Sequence, residues 1–215
     1  VPHSTSKHCK VNRSSYMVGA LARWNNNHDR LSPVALEAAA VLGLKPGCTN
    51  PYFNTVAQVV EAGHCALDAV AIIDKLLANG LKDETPNQEP TQYGTGIGAT
   101  EVPRGILYHE YTYDRQARIV KANCIIPTGQ NLANIDDDMK KLVPEVVATK
   151  SKEEITMWLE MLVRAYDPCI SCSVHMLEVE FEDQRPMKVI AVGNAFCGDD
   201  GVGAAVLAEL AGLPA

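Results

Sequence analysis

The densest group of chemically active side chains lies in residues 167–175, which read Asp-Pro-Cys-Ile-Ser-Cys-Ser-Val-His. Cys169 and Cys172 stand three positions apart, with a carboxylate before them and an imidazole after them. Thiolates bind soft transition metals, and a carboxylate or imidazole can complete such a site or orient its ligands. This segment therefore predicts a metal site.

The cysteine pair leaves several interpretations open. A structural zinc site needs a second close pair of cysteines or a Cys/His pair, and the sequence shows none. A thioredoxin-like motif follows a strand and opens a helix, whereas here a predicted helix comes first. A chance Cys-x-x-Cys is one remaining alternative. The other is half of a metal site whose remaining thiolates come from outside this sequence.

Composition limits the class of protein. The chain has 215 residues, enough for one or two domains, and its 47% hydrophobic content is normal for a globular interior. A net charge of −7 argues against nucleic-acid binding, because phosphate neutralisation needs a basic face. We find no run of apolar residues long enough to span a bilayer and no signal segment, so we expect no membrane span.

The other cysteines form an odd, scattered set that does not suggest a disulfide framework. We expect mostly inert, buried thiols in a reducing cytoplasm, and therefore a cytoplasmic protein. These isolated cysteines are Cys9, Cys48, Cys65, Cys124 and Cys197.

The N-terminal part of the chain is predicted to be helical. Asn54 is a candidate cap for a long helix that runs to about Asn79, with Gly80 as its stop. His64 and Cys65 fall inside this helix, and a structural histidine with a buried thiol is the simpler interpretation than a pair of ligands. The apolar residues at near-helical spacing are Val56, Val59, Val60, Leu67, Val70, Ile73, Leu76 and Leu77.

Alternating glycines in residues 93–98 are not followed by Gly-Lys-Ser/Thr, so we expect close backbone packing and not a phosphate loop. Two strands are predicted next, at residues 105–113 and 117–126, joined by a polar turn at 114–116.

Two more helices lead to the cysteine pair. We expect Asn134 and the acidic residues 136–138 to cap and charge a helix that ends near Pro144, in preference to a hard-cation site. Ser151 and Glu154 form a capping box that starts the second helix. Its apolar face carries Ile155, Trp158, Leu159, Leu162 and Tyr166. This helix runs directly into residue 167, so we expect the cysteine pair to stand on a packed support.

Over residues 3–175 the chain resembles the C-terminal half of the large subunit of nickel–iron hydrogenases. Within that family, the sequence is similar to the cytoplasmic, multi-subunit branch that is linked to methyl viologen or heterodisulfide reduction. The matching segments are 16–23 (Tyr-Met-Val-Gly-Ala-Leu-Ala-Arg), 101–109 (Glu-Val-Pro-Arg-Gly-Ile-Leu-Tyr-His), 126–131 (Ile-Pro-Thr-Gly-Gln-Asn) and 167–175. The resemblance implies an α+β, mainly helical fold: a helical bundle with a small antiparallel β element.

The resemblance also implies roles for the site residues. Cys169 would be a terminal ligand of nickel, and Cys172 would bridge nickel and an iron that carries carbon monoxide and cyanide. Arg104 would hang its guanidinium over the metal pair, held there by Asp167. Arg104, Asp167 and Cys169 form the implied catalytic group.

Further residues are implied around this centre. Pro103, Pro127 and Thr128 would line the pocket, and the Thr128 hydroxyl would donate to a cyanide ligand. His175 would end the mature subunit, where it would help to bind a magnesium ion.

The implied reaction is the reversible, heterolytic cleavage of H₂. The metal pair would take hydride, and the Cys169 thiolate or the Arg104 guanidinium would take the proton; the sequence does not choose between them. Electrons would pass to a small subunit with iron–sulfur clusters, then to an electron-accepting subunit, because this chain lacks cysteine runs for clusters of its own.

The sequence departs from the family pattern at its start. The family's N-terminal Cys-x-x-Cys and proton-relaying acid are missing, and the chain begins at Val1 without a methionine. We therefore expect a fragment with half of a four-thiolate site and no hydrogenase activity by itself.

The C-terminal tail departs as well. Met176 would begin an extension, residues 176–186, that a dedicated maturation endopeptidase removes by cutting between His175 and Met176. Residues 187–215 resemble the truncated start of that endopeptidase, with Asp200 as its metal-sensing acid. The predicted domains are therefore 1–175, 176–186 and 187–215.

Three alternatives accompany this interpretation of the tail. The first is a maturation endopeptidase whose nickel-dependent activity resides in the tail, and the second is an unmetallated pseudogene product. The third is a dinucleotide-binding loop, which is disfavoured because the glycines miss the Gly-x-Gly-x-x-Gly spacing and Asp199 and Asp200 would repel a pyrophosphate.

Overall fold

The computed structural model describes residues 9–83, 93–169, 176–180 and 188–192. The chain divides into two compact units. We call Ala20–Ile125 the helix–sheet unit, and Val1–Gly19 with Ile126–Ala215 the cysteine unit.

The helix–sheet unit begins with three helices. They are α1 (Ala20–Asn27), α2 (Pro33–Val41) and α3 (Phe53–Asn79), with a short 3₁₀ turn at His28–Arg30 between the first two. The Ser32 hydroxyl caps α2 by accepting the Ala35 N–H, and Pro33 opens its first turn without losing a hydrogen bond. Helices α1 and α2 both pack against α3 and bury a small apolar core. Its residues are Ala20, Leu21, Trp24, Ala35, Ala39, Leu44, Ala57 and Val60.

The long helix is confirmed, but its predicted cap is wrong. Tyr52 is the N-cap residue, and Asn54 lies inside the first turn with only 2% of its surface exposed. Its side-chain oxygen accepts the Leu21 N–H at 3.0 Å, so the amide joins α1 to α3. Gly80 ends the helix with a φ of 74°, as its lack of a Cβ predicts.

Most of the apolar residues at helical spacing on α3 are exposed, although such spacing is typical of a helix face that packs on a core. Val60 is buried, whereas Val70 and Leu77 are 57% and 72% exposed. By length and composition α3 could also cross a membrane, contrary to the expectation that no apolar run is long enough. Among the described residues it is the one such helix, and a single one is weak evidence for a membrane span.

Three antiparallel strands follow, in the order β1 (Thr95–Val102), β2 (Gly105–Tyr113) and β3 (Ile119–Ile125). The structure confirms β2 as predicted. Strand β3 starts later than expected because the Asp114 carboxylate accepts the N–H groups of Gln116 and Arg118 at 2.9 and 3.0 Å, which lengthens the polar turn.

The expectation of close backbone packing at residues 93–98 is wrong for the part of the chain that the structure describes. These glycines belong to or precede β1, and a Cβ added at Gly94, Gly96 or Gly98 would meet nothing within 4 Å. Gly94 has a φ of +145°, so its backbone conformation accounts for one of them.

In the cysteine unit, α4 (Pro127–Val147) begins seven residues before the predicted cap at Asn134. Pro127 occupies its first turn, where a missing N–H costs nothing. The acidic run is therefore in mid-helix, where Asp136 pairs with Lys140 at 2.6 Å one turn later. Pro144 lies inside the helix and does not end it.

The prediction for α5 (Lys152–Ala165) is confirmed. The Ser151 hydroxyl accepts the Glu154 N–H, and the Glu154 side chain accepts the Ser151 N–H, which completes the capping box. Helix α5 packs on α4 through its predicted face, with Trp158 half-buried. The buried residues of α5 and its end are Ile155, Leu159, Leu162, Ala165 and Tyr166.

After the cysteine segment, β4 (Met176–Glu180) pairs antiparallel with β5 (Lys188–Val192). The fold is thus mainly helical with a small three-stranded antiparallel sheet. The domain boundaries and the protease-like character of the tail stay predictions.

Candidate metal centre

Cys169 is held directly beyond the end of α5. Asp167 turns the chain there with a left-handed φ of 49°, a conformation that aspartate tolerates better than most residues. Its N–H donates to the Arg164 carbonyl at 2.9 Å. Two residues later, the backbone N–H of Cys169 donates to the Thr128 hydroxyl at 3.1 Å. Thr128 is 3% exposed in the first turn of α4, so the structure brings two of the four motif segments together at a partly buried contact.

A buried polar network fixes the residue before Asp167. The Tyr166 hydroxyl, on a side chain 2% exposed, donates to Asp138 at 2.5 Å and accepts from the Asn134 amide at 2.6 Å. Asn134 in turn accepts the Ser15 hydroxyl at 2.9 Å. Burial first, and then the Asp138 carboxylate, raise the pKa of Tyr166, so its hydroxyl stays protonated and able to donate.

We did not predict this network from the sequence. Tyr166 was placed on the apolar face, and the acidic run was assigned to helix charging. The signal was present in the spacing, since residues four positions apart such as Asn134 and Asp138 project from the same side of a helix.

The first and third motif segments also meet in the cysteine unit. The Asn131 side chain, 2% exposed, accepts the Val18 N–H at 2.8 Å and donates to the Val18 carbonyl at 3.3 Å. Gln130 accepts the Tyr16 hydroxyl at 3.4 Å. These amides therefore satisfy the backbone and side chains of residues 16–18.

In the helix–sheet unit, Arg104 lies in the turn between β1 and β2, and Arg23 supports that turn. The Arg23 guanidinium binds both carboxylate oxygens of Glu61 on α3, at 2.5 and 2.6 Å. It also donates to the carbonyls of Val102 at 3.2 Å and Pro103 at 2.7 Å. The Glu61 hydrogen bond is the main reason that the pKa of Arg23 is raised.

Arg23 is thus a positioning residue for which the sequence predicted no role, although it ends one of the four motif segments. It comes from α1 and ties α3 to the two carbonyls that precede Arg104. An arginine at the end of the otherwise mostly apolar segment 16–23 was the available signal.

The predicted site residues are divided between the units. Pro103 and Arg104 belong to the helix–sheet unit, while Pro127, Thr128, Asp167 and Cys169 belong to the cysteine unit. The pairing of Arg104 with Asp167 stays a prediction. Met176 begins β4. The predicted ligands that lie outside the described residues are Cys172, His175 and Asp200.

The described part of the predicted ligand set fits a soft metal in type, because Cys169 supplies sulfur. Metal binding by Cys169 requires its deprotonated thiolate form. Within the described residues, no group of three or more His, Cys, Asp or Glu side chains could hold a metal ion.

The other thiols are less buried than expected. Cys65 and Cys124 are exposed, and Cys9 and Cys48 are half-buried, with burial raising the pKa of Cys9. The prediction of buried thiols is therefore wrong for these four, and Cys197 lies outside the described residues. His64 accepts the Ser32 N–H at 3.2 Å, which confirms a structural hydrogen-bonding role.

Comparison with known proteins establishes the family. The family model described as nickel-dependent hydrogenase matches residues 4–175. This chain belongs to the nickel-dependent hydrogenase family. The predicted resemblance is therefore confirmed at family level, and the segments 16–23, 101–109, 126–131 and 167–175 all fall within the matched region.

Among its relatives is the alpha subunit of sulfhydrogenase 1 from Pyrococcus furiosus, 36% identical over 183 residues that cover 83% of this chain and 41% of the relative. A subunit of the F420-non-reducing hydrogenase from Methanothermobacter marburgensis is 34% identical over 124 residues, or 56% of this chain and 25% of the relative. The hydrogenase-family chain thus spans less than half the length of these relatives.

A solved structure is similar as well. The crystal structure of an NAD⁺-reducing [NiFe]-hydrogenase in the H₂-reduced state matches with a TM-score of 0.59 and 27% identity, covering 74% of this chain and 35% of the other. This likeness supports the mainly helical fold with its small antiparallel sheet.

Proposed function

We propose that this chain is the cysteine-bearing C-terminal part of a nickel–iron hydrogenase large subunit, which cleaves H₂ reversibly into protons and electrons. The observation that carries the proposal is the contact between Cys169 and Thr128, because it fixes a predicted nickel ligand against a buried hydroxyl. The match of residues 4–175 to the family supports it.

In this proposal Cys169 and Cys172 are the metal thiolates, and His175 helps to bind Mg²⁺. A nickel–iron centre carrying carbon monoxide and cyanide would supply an electron-rich acceptor for hydride. Thr128 is suited to the pocket because a hydroxyl has one proton and two lone pairs. Its oxygen already accepts the Cys169 N–H, so the proton is left for an acceptor such as a cyanide nitrogen.

The proton from H₂ has two candidate acceptors in this chain. A guanidinium stays protonated at ordinary pH, so Arg104 is better suited to donate hydrogen bonds than to take a proton. We therefore propose Cys169 as the acceptor and Arg104 as the cation above it, with Asp167 as the partner of Arg104. Pro103 and Pro127 would line the same pocket.

Partners follow from the same proposal. The matched relatives carry the names of hydrogenase subunits, and a large subunit of this kind needs a small iron–sulfur subunit to remove electrons. The proposal also includes an electron-accepting subunit, together with a cytoplasmic location and a maturation endopeptidase that cuts between His175 and Met176.

Nickel content tests the proposal without relying on activity. The reduced full chain, produced together with nickel-insertion factors, should retain nickel through gel filtration when measured by mass spectrometry. Cys169→Ser and Cys172→Ser should lose most of it. Cys65→Ser, which changes an exposed thiol on α3, should keep it.

Nickel-free wild-type chain, or equal nickel in wild type and Cys169→Ser, would contradict the proposal. The chain by itself should take up no H₂, and measurable uptake would overturn the prediction that its cysteine pair is only half of the metal site.

A further inference from the structure

A second group of reactive side chains lies on the sheet of the helix–sheet unit. His109 and Cys124 are direct partners in the β2–β3 register, and Tyr111 follows His109 two residues later on the same face. The His109 Nδ1 lies 2.8 Å from the Tyr111 hydroxyl and 3.5 Å from the Cys124 sulfur. The third side of this triangle, from the Tyr111 hydroxyl to the sulfur, is 3.6 Å.

The triangle is open to approach. Cys124 is exposed. On the neighbouring strand β1, the partners of His109 and Tyr111 are Gly98 and Gly96, and a Cβ at either glycine would meet nothing within 4 Å. No side chain from these two positions therefore covers the group.

The three groups suit the activation of a thiol. A cysteine beside an imidazole can lose its proton to the ring and react as a thiolate. Once His109 Nδ1 has taken the thiol proton, Tyr111 bridges the pair, since its oxygen can accept from Nδ1–H while its hydroxyl donates to the thiolate. The hydrogen bond with Cys124 raises the pKa of Tyr111, which keeps the phenol protonated in this role.

We propose that Cys124 is a reactive thiol, activated by His109 and Tyr111, that is oxidised by small hydroperoxides. The Cys124 sulfur attacks the distal peroxide oxygen, so an S–O bond forms and the O–O bond breaks. Sulfur is oxidised by two electrons to the sulfenic acid, and the peroxide is reduced to an alcohol or water. The leaving oxygen takes the proton that His109 held.

The oxidised form of Cys124 would also have hydrogen-bond partners. A sulfenic acid on Cys124 carries one hydroxyl, which His109 and Tyr111 are placed to bind. Glu110 and Lys121, which pair at 2.7 Å, alternate with these residues along their strands and therefore lie on the other face of the sheet.

Alkylation kinetics provide the first test. The reduced full chain is treated with iodoacetamide near neutral pH, and modified peptides are followed by mass spectrometry. Cys65, the other described exposed thiol, is the internal control. We expect Cys124 to react about tenfold faster than Cys65, since only Cys124 has a histidine-paired sulfur. Equal rates would overturn the proposal.

Two variants separate activation from simple exposure. His109→Gln should bring the Cys124 rate down to that of Cys65, and Tyr111→Phe should slow it by a smaller factor, with the Cys65 rate unchanged in both. Unchanged fast labelling of Cys124 in His109→Gln would overturn the role of the imidazole. The wild-type comparison stands even if a variant fails to fold.

Hydrogen peroxide tests the reaction partner. With dimedone present, the sulfenic acid adduct should form on Cys124 at lower peroxide doses than on Cys65. Adduct formation on Cys65 first, or none on Cys124, would overturn the assignment of a hydroperoxide. Neither result depends on nickel binding, so the two proposals can fail separately.

Discussion

At the scale of single residues, one buried hydroxyl positions the candidate nickel ligand. Thr128 is 3% exposed and accepts the Cys169 N–H at 3.1 Å. A partly buried N–H is stabilised by an acceptor, so Thr128 favours one backbone conformation around Cys169. This contact does not use the hydroxyl proton, so the same side chain can serve both stability and the proposed metal chemistry.

Removing this hydroxyl should therefore affect both properties. Thr128→Val keeps the side-chain shape but removes the acceptor of the Cys169 N–H, and we expect it to lower the free energy of unfolding by about 1 kcal/mol. Retained nickel should fall as well. Urea unfolding and metal analysis measure the two effects.

Thr128→Ser is the matched control, because it keeps the hydroxyl and loses only a methyl group. It should retain more stability and nickel than the valine variant. If the valine and serine variants unfold at the same urea concentration, the hydrogen bond from the Cys169 N–H does not contribute measurably to stability.

At the scale of elements, arginine and tyrosine side chains hold the ends of strands and helices where the motif residues lie. Arg23 from α1 connects Glu61 on α3 to the two carbonyls before Arg104. Tyr166 connects the end of α5 to Asn134 and Asp138 on α4, directly before Asp167. In each unit, a side chain with several hydrogen bonds restricts the backbone of a turn that holds a motif residue: Arg23 acts on the turn at Arg104, and Tyr166 acts on the turn at Asp167.

Arg23 gives the sharper prediction, because lysine preserves its charge but not its planar set of donors. In Arg23→Lys the paired contact with Glu61 and the contacts with Val102 and Pro103 cannot all form. We expect faster deuterium uptake in peptides that span the turn between β1 and β2, with the uptake of α5 unchanged.

Arg30→Lys serves as a control on the same part of the chain, since Arg30 makes none of these contacts with the turn. In Arg30→Lys, the peptides that span the β1–β2 turn should take up deuterium as in the wild type. Unaltered exchange at the β1–β2 turn in Arg23→Lys would show that strand pairing alone holds Arg104 in place.

At the scale of the whole molecule, local signals predicted more than long-range ones. The Ser151–Glu154 capping box, the Gly80 stop and the Asp114 turn were all predicted, because each depends on atoms within four residues of chain. The start of α4 was missed because Asn134, a good cap by type, is used to bind Tyr166 from another helix.

The candidate site divides in the same way. The family was readable from the sequence, and the family match over residues 4–175 bears this out, whereas the roles of the motif residues stay predictions. The contact of Cys169 with Thr128 spans 41 positions and that of Arg23 with Pro103 spans 80, so no local pattern reveals either. The exposure of the apolar stripe on α3 was not predictable for a similar reason, since the spacing of its residues shows which face of the helix is apolar but not what covers it.

That stripe supports the last prediction. Val70 and Leu77 are 57% and 72% exposed on α3, and exposed apolar groups promote association with other surfaces. Val70→Glu with Leu77→Glu should therefore reduce self-association of the chain in sedimentation velocity and leave its urea midpoint nearly unchanged. Val60→Ala, at a position 2% exposed on the same helix, should lower the midpoint instead. A loss of stability in the double variant as large as in Val60→Ala would show that the stripe is already part of a folded core.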